Sequence, residues 1–518
     1  MQSQTVDRIA AWLLGVPLLT GLATLCAWQL VTWAPHYLTW PMWADHDVFA
    51  TMAHAWDVGE LPYRDLVSNN FPGTIYLFWI LGRTVGWANT AALYVVDLAL
   101  LLLFGLMLVL WSRRRFETAT PGLVGCAAVL SYYLRLDFTQ TAQRDWHGPL
   151  FALIGLLLVQ VSPHRAARLA SALAMASAVI VRPHTIVLLP ALLLAVSHSA
   201  GPSTGGAERA AHPVREWSIS FVLLVALGFV PLALSGVLDD FANSISVAGY
   251  GPAETRLSLF ERVLVWLVPF STPILLAMPF ALLVLAWRVS PEHRGIAAIW
   301  AVAFGGALIY GPLSPVWRPY LMHPLWLVWC CTVATLVGVI LRSPGTPPAV
   351  RLAAIVVLLG ASVDPYPTFC SIRYSVRAVA TLRAGGDAAL APLGYTHGLL
   401  HVRLYEWEDY RATLDYIRTR TGAEIRVANL INGVAVTGPT ARLSALPAES
   451  TTWLDVVAPG DEERFIESLE RTPNSIVVWD LEHPSTRPHA ARLSSVVRDL
   501  YEPDAQFGAI HMWRRKVR

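Results

Sequence analysis

Residues 90–115 read TAALYVVDLALLLLFGLMLVLWSRRR, an apolar run with one acidic residue, Asp97, that ends in three arginines. A helix needs about 20 apolar residues to cross the hydrocarbon core of a bilayer, and this run supplies them. The whole chain has the same character, because 55% of its 518 residues are hydrophobic, 14% are charged and the mean hydropathy is +0.49. An ordinary soluble domain carries about 25% charged residues. The sequence therefore predicts an integral membrane protein.

Further apolar runs approach the same length along the first two thirds of the chain. The predicted spans are 9–33, 90–112, 119–134, 148–162, 166–181, 183–199, 217–236, 263–287, 295–311, 321–341 and 351–364. The run 74–86 is too short to cross and contains Arg83, so we interpret it as a helix at the membrane surface. The predicted fold class is a polytopic α-helical membrane protein with about 11 transmembrane helices.

Arginine-rich loops set the predicted orientation, because cytoplasmic loops of membrane proteins are enriched in Lys and Arg. With these spans, the arginine clusters all fall on the side of the N-terminus; they lie at 113–115, 165–168, 209–215, 288–294 and 342–351. The first span has no small-residue cleavage site after it, so we expect it to stay as a signal anchor. The prediction is a multi-pass protein of the cell membrane, plasma or inner, with its N-terminus in the cytoplasm.

Polar sequence with mixed periodicity takes over after residue 364 and predicts a second domain outside the cytoplasm. The predicted elements are helices at Trp407–Arg420 and Asp461–Arg471 and strands at Glu424–Leu430 and Asn474–Trp479. The domain prediction is a membrane domain, 1–364, whose first outer loop covers 34–89, followed by a small extracytoplasmic α/β domain, 365–518.

Charge and cysteine content exclude several function classes. The net charge is +2 and the basic residues are scattered among apolar runs, so nucleic acid is not a predicted partner. Lys516 is the only lysine in the chain, which excludes P-loop phosphate binding, a PLP Schiff base and a lysine nucleophile. The five cysteines offer neither a disulfide framework nor a CxxC metal pair. No cofactor is predicted, and a divalent cation stays an open alternative that no ligand spacing supports.

The predicted outer loops hold nearly all the unusual polar residues, so a functional site should face outward. Nucleotide sugars and ATP are absent outside the cytoplasm, and a group transfer there needs a donor already embedded in the bilayer. A polyprenyl-phosphate-linked sugar meets this requirement. The predicted partners are therefore such a donor, membrane lipids and an unidentified acceptor.

The first outer loop carries the most informative motif. Its elements are Asp45, Phe49, Gly59, the run Pro62-Tyr63-Arg64-Asp65, and Pro72-Gly73. This spacing resembles the GT-C glycosyltransferases of the polyprenyl-phosphate-mannose protein mannosyltransferase type, including bacterial relatives that add aminoarabinose to lipid A. The resemblance covers the first 90 or so residues well and the later spans loosely. Weaker similarities lie at 318–324 and at Thr437-Gly438 with Arg442.

The resemblance implies a GT-C-like fold and an inverting transfer of a sugar from a polyprenyl-phosphate donor. Such a transfer needs one carboxylate to take the acceptor proton, because phosphate leaves without a general acid. Asp45 is in register with the acidic residue of the pattern and is the predicted base, with Asp47 as the second candidate. The substrate-binding candidates are Tyr63, Asp65, Asn70, Asp145, His147 and Tyr320.

The donor phosphate needs cations near the membrane surface, a role that suits the guanidinium fork of arginine. The relatives usually have Lys-Pro-Pro where this chain has Asn70-Phe71-Pro72. Either arginine therefore supplies the charge here, or the donor head group differs. The arginine candidates are Arg64, Arg144, Arg182 and Arg318.

These residues also have structural alternatives. Asp45 or Asp47 can cap a helix over Val48–Trp56, and Arg64 can pair with Asp65. The run 143–147 can be an interfacial anchor, and Arg182 can snorkel to the surface.

Three further polar features stand apart from the motif. His323 is best explained as a satisfied interfacial histidine. Asp97 lies inside a span, where an acid is costly, and Arg83 or Arg135 could pair with it. A Zn²⁺ site composed of His46, His54 and His147 stays open without support from their spacing.

Two other functions compete with glycosyl transfer. A transporter or flippase of lipid-linked sugars should show repeated halves and ionisable residues near the bilayer midplane, whereas the charges here gather at one predicted surface. A non-catalytic membrane scaffold whose α/β domain binds a partner is the third alternative. The acceptor, which could be a lipid, a glycan or a protein, cannot be read from the sequence.

Overall fold

The computed structural model describes residues 2–516 except 69, 200–206, 249–257, 259, 264–280, 283, 285–287, 289–290, 315–318, 344, 365–375, 377–378, 380–400, 403–404, 432–433, 448–460 and 481–490. The described membrane part is helical, as predicted. Its α-helices are Gln2–Leu13, Val16–Tyr37, Ala44–Asp57, Gly73–Val85, Ala91–Phe116, Thr120–Leu134, Arg144–Val161, Arg165–Val181, Leu189–Ser199, Ala207–Leu234, Leu238–Ala248, Pro291–Tyr310, His323–Arg342 and Pro348–Ser362. Short 3₁₀ helices cover Pro183–Leu188, Gly311–Leu313 and Pro319–Met322.

Several of these helices are long and apolar enough to cross a membrane. By length and composition they are Val16–Tyr37, Ala91–Phe116, His212–Leu234, His293–Leu313 and Tyr320–Arg342. Shorter apolar helices cover Thr120–Leu134, Pro183–Ser199 and Pro348–Ser362. The chain is therefore an integral membrane protein with multiple membrane-spanning helices. The predicted span 263–287 falls mainly outside the described residues, and the count of eleven stays a prediction.

The chain forms two compact units. The first comprises Met1–Tyr37, Val96–Gly228 and Leu257–Val379, and the second comprises Leu38–Val95, Phe229–Arg256 and Ala380–Arg518. The first outer loop thus belongs to the same unit as the C-terminal sheet. The predicted domain boundary at residue 364 stays a prediction.

Small residues let helices of the first unit approach closely. Helix Arg144–Val161 packs on helix Arg165–Val181, where a Cβ on Gly155 would lie 3.0 Å from the carbonyl oxygen of Ser171. In lipid, where apolar side chains gain little from leaving the solvent, such close backbone packing is a main source of helix association.

The second unit contains a small mixed sheet. From one edge to the other, its strands are Arg426–Asn429, Ser475–Trp479, Ile510–Arg515 and Tyr501–Phe507. The first pair is parallel, with Val427 opposite Ile476, and the other two pairs are antiparallel. A two-residue strand pair, His401–Val402 with Tyr405–Glu406, precedes the sheet.

Helices cover this sheet and complete the module. They are Trp407–Arg420, Thr437–Thr440, Asp461–Arg471 and Ala491–Leu500. The predicted helices at 407–420 and 461–471 are confirmed, and so are both predicted strands with slightly shorter bounds. The packed core includes Phe465, Leu469 and Val477. The hairpin at 501–515 was not predicted, because its edge strand YEPDAQF is polar and contains Pro503, which only an edge position tolerates.

The first outer loop carries two helices, both of which belong to the second unit. Helix Gly73–Val85 has 13 residues, as the prediction of a non-spanning helix requires. Helix Ala44–Asp57 follows directly after Trp43, which forms an antiparallel bridge with Val434. The loop that carries the sequence motif is thereby joined by backbone pairing to the C-terminal module of the same unit.

Candidate functional site

Asp45 lies in the first turn of helix Ala44–Asp57, where a carboxylate is favoured by the positive end of the helix dipole. Its side chain is half-buried. Within the described part of the chain, the Asp45 carboxylate has no hydrogen-bond or ion-pair partner. Neither oxygen of Asp45 is thus committed to another described group.

Asp47, two residues later, is completely buried and fully engaged. Its Oδ2 accepts hydrogen bonds from the backbone N–H of Val436 at 2.7 Å and of Thr437 at 3.1 Å, and from the Thr437 hydroxyl at 3.1 Å. Its Oδ1 accepts a hydrogen bond from the backbone N–H of Gly438. We call Asp47 and residues 436–438 the Asp47 cluster.

The capping alternative for these two acids is wrong. The helix begins at Ala44, earlier than predicted, and Trp43 is its N-cap without a side-chain cap hydrogen bond. Asp47 instead satisfies the backbone donors at the start of the short helix Thr437–Thr440. Asp47 and Thr437 are 390 positions apart in the sequence, so local spacing could not predict this contact.

Arg64 is exposed and pairs away from its sequence neighbour. Its Nε donates to Asp240 Oδ2 at 3.0 Å and its Nη2 donates to the carbonyl of Gly236 at 2.7 Å. Asp65 accepts a hydrogen bond from the backbone N–H of Leu61 at 2.7 Å. The predicted Arg64–Asp65 ion pair is therefore wrong, because each side chain is satisfied by a different partner.

Tyr63 and Asn70 shape the same loop from inside. Tyr63 has a positive φ of 69°, and its buried hydroxyl donates to the carbonyl of Asn70 at 2.8 Å. Burial raises the pKa of the Tyr63 phenol well above its usual range, so it stays a proton donor. The Asn70 amide donates to the Ser68 hydroxyl at 3.1 Å. Both side chains hold the loop in shape.

A buried charged cluster occupies the first unit and joins two predicted arginines. Arg182 Nε and the Tyr310 hydroxyl each donate to Asp145 Oδ1 at 2.8 Å. Arg144 Nε lies 3.8 Å from Asp145 Oδ2. The Asp145 side chain is 0% exposed and the two arginines are each 13% exposed. We call Arg144, Asp145, Arg182 and Tyr310 the arginine cluster.

Three chain segments build the arginine cluster. Arg144 and Asp145 form the first turn of helix Arg144–Val161, Arg182 ends helix Arg165–Val181, and Tyr310 ends helix Pro291–Tyr310. Tyr320 lies in the short 3₁₀ helix Pro319–Met322. Sequence reasoning missed Tyr310, whose only signal was an aromatic hydroxyl at the end of a predicted span. Arg318 lies outside the described residues.

His147 belongs to a separate buried network centred on Asp97. Asp97 Oδ2 accepts hydrogen bonds from the hydroxyls of Tyr37 and Tyr133, each at 2.6 Å, and Asp97 Oδ1 lies 2.7 Å from His147 Nε2. We call these four residues the Asp97 network. The predicted pairing of Asp97 with Arg83 or Arg135 is wrong, because Arg83 pairs with Asp57 and Arg135 lies near Asp364.

Two further histidines, His323 and His54, have structural partners. His323 Nδ1 lies 2.7 Å from the Tyr132 hydroxyl and its Nε2 lies 2.8 Å from the carbonyl oxygen of Gln140, so the prediction of a satisfied histidine is confirmed. His54 stacks on Trp87. In the described ranges, no group of three His, Cys, Asp or Glu side chains is arranged to hold a metal ion.

Comparison with solved structures identifies the architecture. No protein-family model and no curated protein matches the sequence. Two crystal structures of ArnT from Cupriavidus metallidurans match the structure with a TM-score of 0.59, over 95% of this chain and 98% of that chain. This chain has the fold of ArnT. Sequence identity is 14% to the ArnT bound to undecaprenyl phosphate and 15% to the apo ArnT.

The ArnT fold confirms the GT-C-like architecture that the first outer loop implied. The sequence resemblance covered the first 90 or so residues well, whereas the structural similarity to ArnT covers 95% of the chain. At this level of identity the likeness concerns the fold. The roles of individual residues depend on their own geometry.

Proposed function

We propose that this protein is a membrane glycosyltransferase that moves a sugar from a polyprenyl-phosphate-linked donor to an extracytoplasmic lipid, glycan or protein. The observation that carries the proposal is the ArnT fold over 95% of the chain, since ArnT has been crystallised with undecaprenyl phosphate. The motif of the first outer loop and the buried arginines support it independently.

The proposed reaction is a single displacement with inversion at the anomeric carbon. The acceptor oxygen forms a bond to that carbon while the bond from the carbon to the phosphate oxygen breaks. The bonding electron pair leaves with the lipid phosphate, and the acceptor proton passes to a carboxylate. We assign that carboxylate to Asp45, because it is half-buried and uncommitted within the described residues, whereas both Asp47 oxygens are occupied.

The arginine cluster is the proposed site of the donor phosphate. Its two guanidinium groups and one carboxylate leave one positive charge, which complements an anionic lipid phosphate. The Asp145 carboxylate, which also accepts a hydrogen bond from the Tyr310 hydroxyl, holds Arg182 in place. Preorganised cations of this kind stabilise charge that develops on a leaving group without rearrangement. Among the predicted arginines, Arg64 is the weaker candidate because it is 48% exposed and paired with Asp240.

The test is sugar transfer by the purified full-length protein in lipid nanodiscs. Undecaprenyl-phosphate-linked sugars serve as donors, extracted envelope lipids and glycans serve as acceptors, and products are detected by mass spectrometry. Asp45→Asn keeps the shape of the side chain and removes its basicity, so it should lower turnover at least ~100-fold. Arg471→Gln, in an exposed pair with Glu467, is the control and should turn over normally.

Two results would contradict the proposal. Equal turnover by Asp45→Asn and wild type would remove Asp45 as the base. Movement of the lipid-linked sugar across the bilayer without any transfer would instead favour the transporter.

A further inference from the structure

Asp47 lies near the proposed base but on a different side of its helix. Asp47 and Thr51 are one turn apart and share a face, whereas Asp45 projects about 200° away from Asp47 around the helix. The Thr51 hydroxyl lies 2.6 Å from the Thr437 hydroxyl, so the face that carries Asp47 contacts the C-terminal module. Asp45 is left on the other side.

The contact is close as well as polar. A Cβ on Gly438 would lie 2.5 Å from Asp47 Oδ1, 3.0 Å from Met42 Sδ and 3.1 Å from Ala50 Cβ. Only glycine therefore lets the backbone N–H of residue 438 reach the carboxylate. The backbone bridge between Trp43 and Val434 also attaches the residue before helix Ala44–Asp57 to the C-terminal module.

We infer that Asp47 is a positioning residue, through which the C-terminal module fixes the first turn of helix Ala44–Asp57 and thereby the carboxylate of Asp45. The inference rests on the proposed function and gives the C-terminal module a part in it. The Asp47 carboxylate is completely buried and accepts four hydrogen bonds from residues 436–438, so it is committed to the C-terminal module and poorly placed to take a proton from a substrate. The same four bonds locate the helix within the unit.

The kinetic consequence follows from the distance tolerance of proton transfer. A shift of about 1 Å in a reacting group can cost roughly 100-fold in rate. Loss of the Asp47 cluster frees the first turn, so the Asp45 carboxylate spends less time within reach of the acceptor proton. The proposed phosphate site is the arginine cluster and does not include Asp47, so the KM for the donor should change little.

The main experiment compares Asp47→Asn with Asp45→Asn and wild type in the full-length protein in nanodiscs. Asp47→Asn keeps the size of the side chain but places an amide where backbone donors converge. We expect its kcat to fall about 10- to 100-fold with donor KM within about twofold of wild type. The acid limb of its pH–rate profile should persist, because Asp45 still takes the proton.

A second set of variants changes the partners of Asp47 in the C-terminal module instead of Asp47 itself. These variants keep the inference testable if Asp47→Asn does not fold. Gly438→Ala should lower kcat in the same range, whereas Gly360→Ala, whose Cβ would meet nothing within 4 Å, is the matched control. Thr437→Val removes one donor to Asp47 and should lower kcat. Thr437→Ser keeps the hydroxyl and should restore most of it.

Amide hydrogen exchange gives a readout that does not depend on turnover. Asp47→Asn and Gly438→Ala should increase exchange in peptides from 44–57 and 434–440, and the Gly360→Ala control should not. Exchange that stays at the wild-type level in both variants would overturn the anchoring of the helix by Asp47.

The kinetic results separate the inference from the proposed function. If Asp47→Asn turns over like wild type while Asp45→Asn is inactive, the positioning role is wrong and the glycosyltransferase stands. If the acid limb disappears in Asp47→Asn, Asp47 is itself the base and the inference is overturned. If wild type transfers no sugar from any donor, the proposed function fails, and with it the positioning of a base.

Discussion

Arg182 and Asp145 form an ion pair that is almost completely enclosed. Taking two charges out of water costs free energy that their mutual attraction offsets only when hydrogen bonds satisfy the remaining atoms. Tyr310 supplies such a bond to Asp145. Removing one partner of a buried pair typically destabilises a protein by about 3–5 kcal/mol. Burying these charges costs free energy, and three separate chain segments are needed to hold them together. This is a reason to assign the arginine cluster a function.

Arg182 provides the first residue-scale prediction. Arg182→Gln should raise the KM for the lipid donor at least ~10-fold and change the acceptor KM much less. Arg182→Lys should restore donor use only in part, because an ammonium group lacks the bidentate fork. The measurement is steady-state kinetics with donor and acceptor varied separately, together with binding of undecaprenyl phosphate. Normal donor use by the Gln variants of both Arg182 and Arg144 would exclude the arginine cluster as the phosphate site.

The Asp97 network leads to a prediction about stability. Asp97→Ala leaves three buried polar partners without their acceptor, and each unsatisfied group costs about 1–3 kcal/mol. Tyr37→Phe removes one donor and should cost less. Thermal unfolding in detergent should rank Asp97→Ala below Tyr37→Phe, and Tyr37→Phe below Tyr416→Phe, which removes a hydroxyl that donates to Asp504 from a half-buried position outside the membrane part. Equal midpoints for all three variants would show that the network contributes nothing.

At the residue scale, the sequence identified polar side chains with unusual environments but did not predict their hydrogen-bond partners. Asp97 was singled out because an acid inside a span is costly, yet its partners lie 60, 36 and 50 positions away. Arg64 was expected to pair with its neighbour but contacts a residue 176 positions later. Such pairings depend on how helices pack, and local periodicity contains no information about that packing.

At the element scale, long periodic segments were predicted well and irregular ones were not. Helices Trp407–Arg420 and Asp461–Arg471 have the predicted bounds, because an amphipathic face marks each of them. The predicted span 9–33 is instead two helices, Gln2–Leu13 and Val16–Tyr37. Hydropathy averages over such a break, since the apolar residues at the end of the first helix, IAAWL, run directly into the apolar second helix. The same averaging hid the 3₁₀ turn Pro183–Leu188.

Two adjacent glycines in helix Pro291–Tyr310 allow a matched test of packing between elements. A Cβ on Gly306 would collide with the carbonyl of Val187, whereas a Cβ on Gly305 would meet nothing within 4 Å. Gly306→Ala should therefore push this helix away from segment Pro183–Leu188. Tyr310 lies at the end of the helix and Arg182 directly precedes the segment, so this displacement should also disturb the arginine cluster. Gly305→Ala should be neutral or slightly stabilising, because alanine favours a helix by about 1 kcal/mol over glycine.

The expected result for the glycine pair is a lower unfolding midpoint and a higher donor KM for Gly306→Ala alone. Both are measured in the detergent and nanodisc assays described above. Identical behaviour of the two variants would mean that the approach of these elements does not fix the arginine cluster.

At the scale of the whole molecule, the chain keeps the ArnT fold at 14% identity. Apolar length and loop charge constrain a membrane protein strongly, whereas the choice among Leu, Ile, Val and Ala within a span is nearly free. This explains why the fold class could be predicted from composition and why only the first outer loop resembled known sequences in detail. The acceptor could not be predicted, because no motif of the chain specifies its chemistry.

Orientation is a property of the whole molecule and gives the last prediction. The arginine-rich loops predict an N-terminus in the cytoplasm and, with eleven spans, a C-terminal module outside. A reporter that fluoresces only in the cytoplasm should be dark when fused after Arg518 and bright when the chain is cut and fused at Gly345, between Arg342 and Arg351. Alkaline phosphatase, which is active only outside, should give the opposite pattern. A bright fusion after Arg518 would mean that the span count is wrong by one, at 74–86 or at the closely spaced pair around Arg182. Because both of those places follow Asp47 in the chain, it would also put residues 436–438 on the opposite side of the membrane from Asp47, so the hydrogen bonds of the Asp47 cluster could not form and the positioning role of Asp47 would fail.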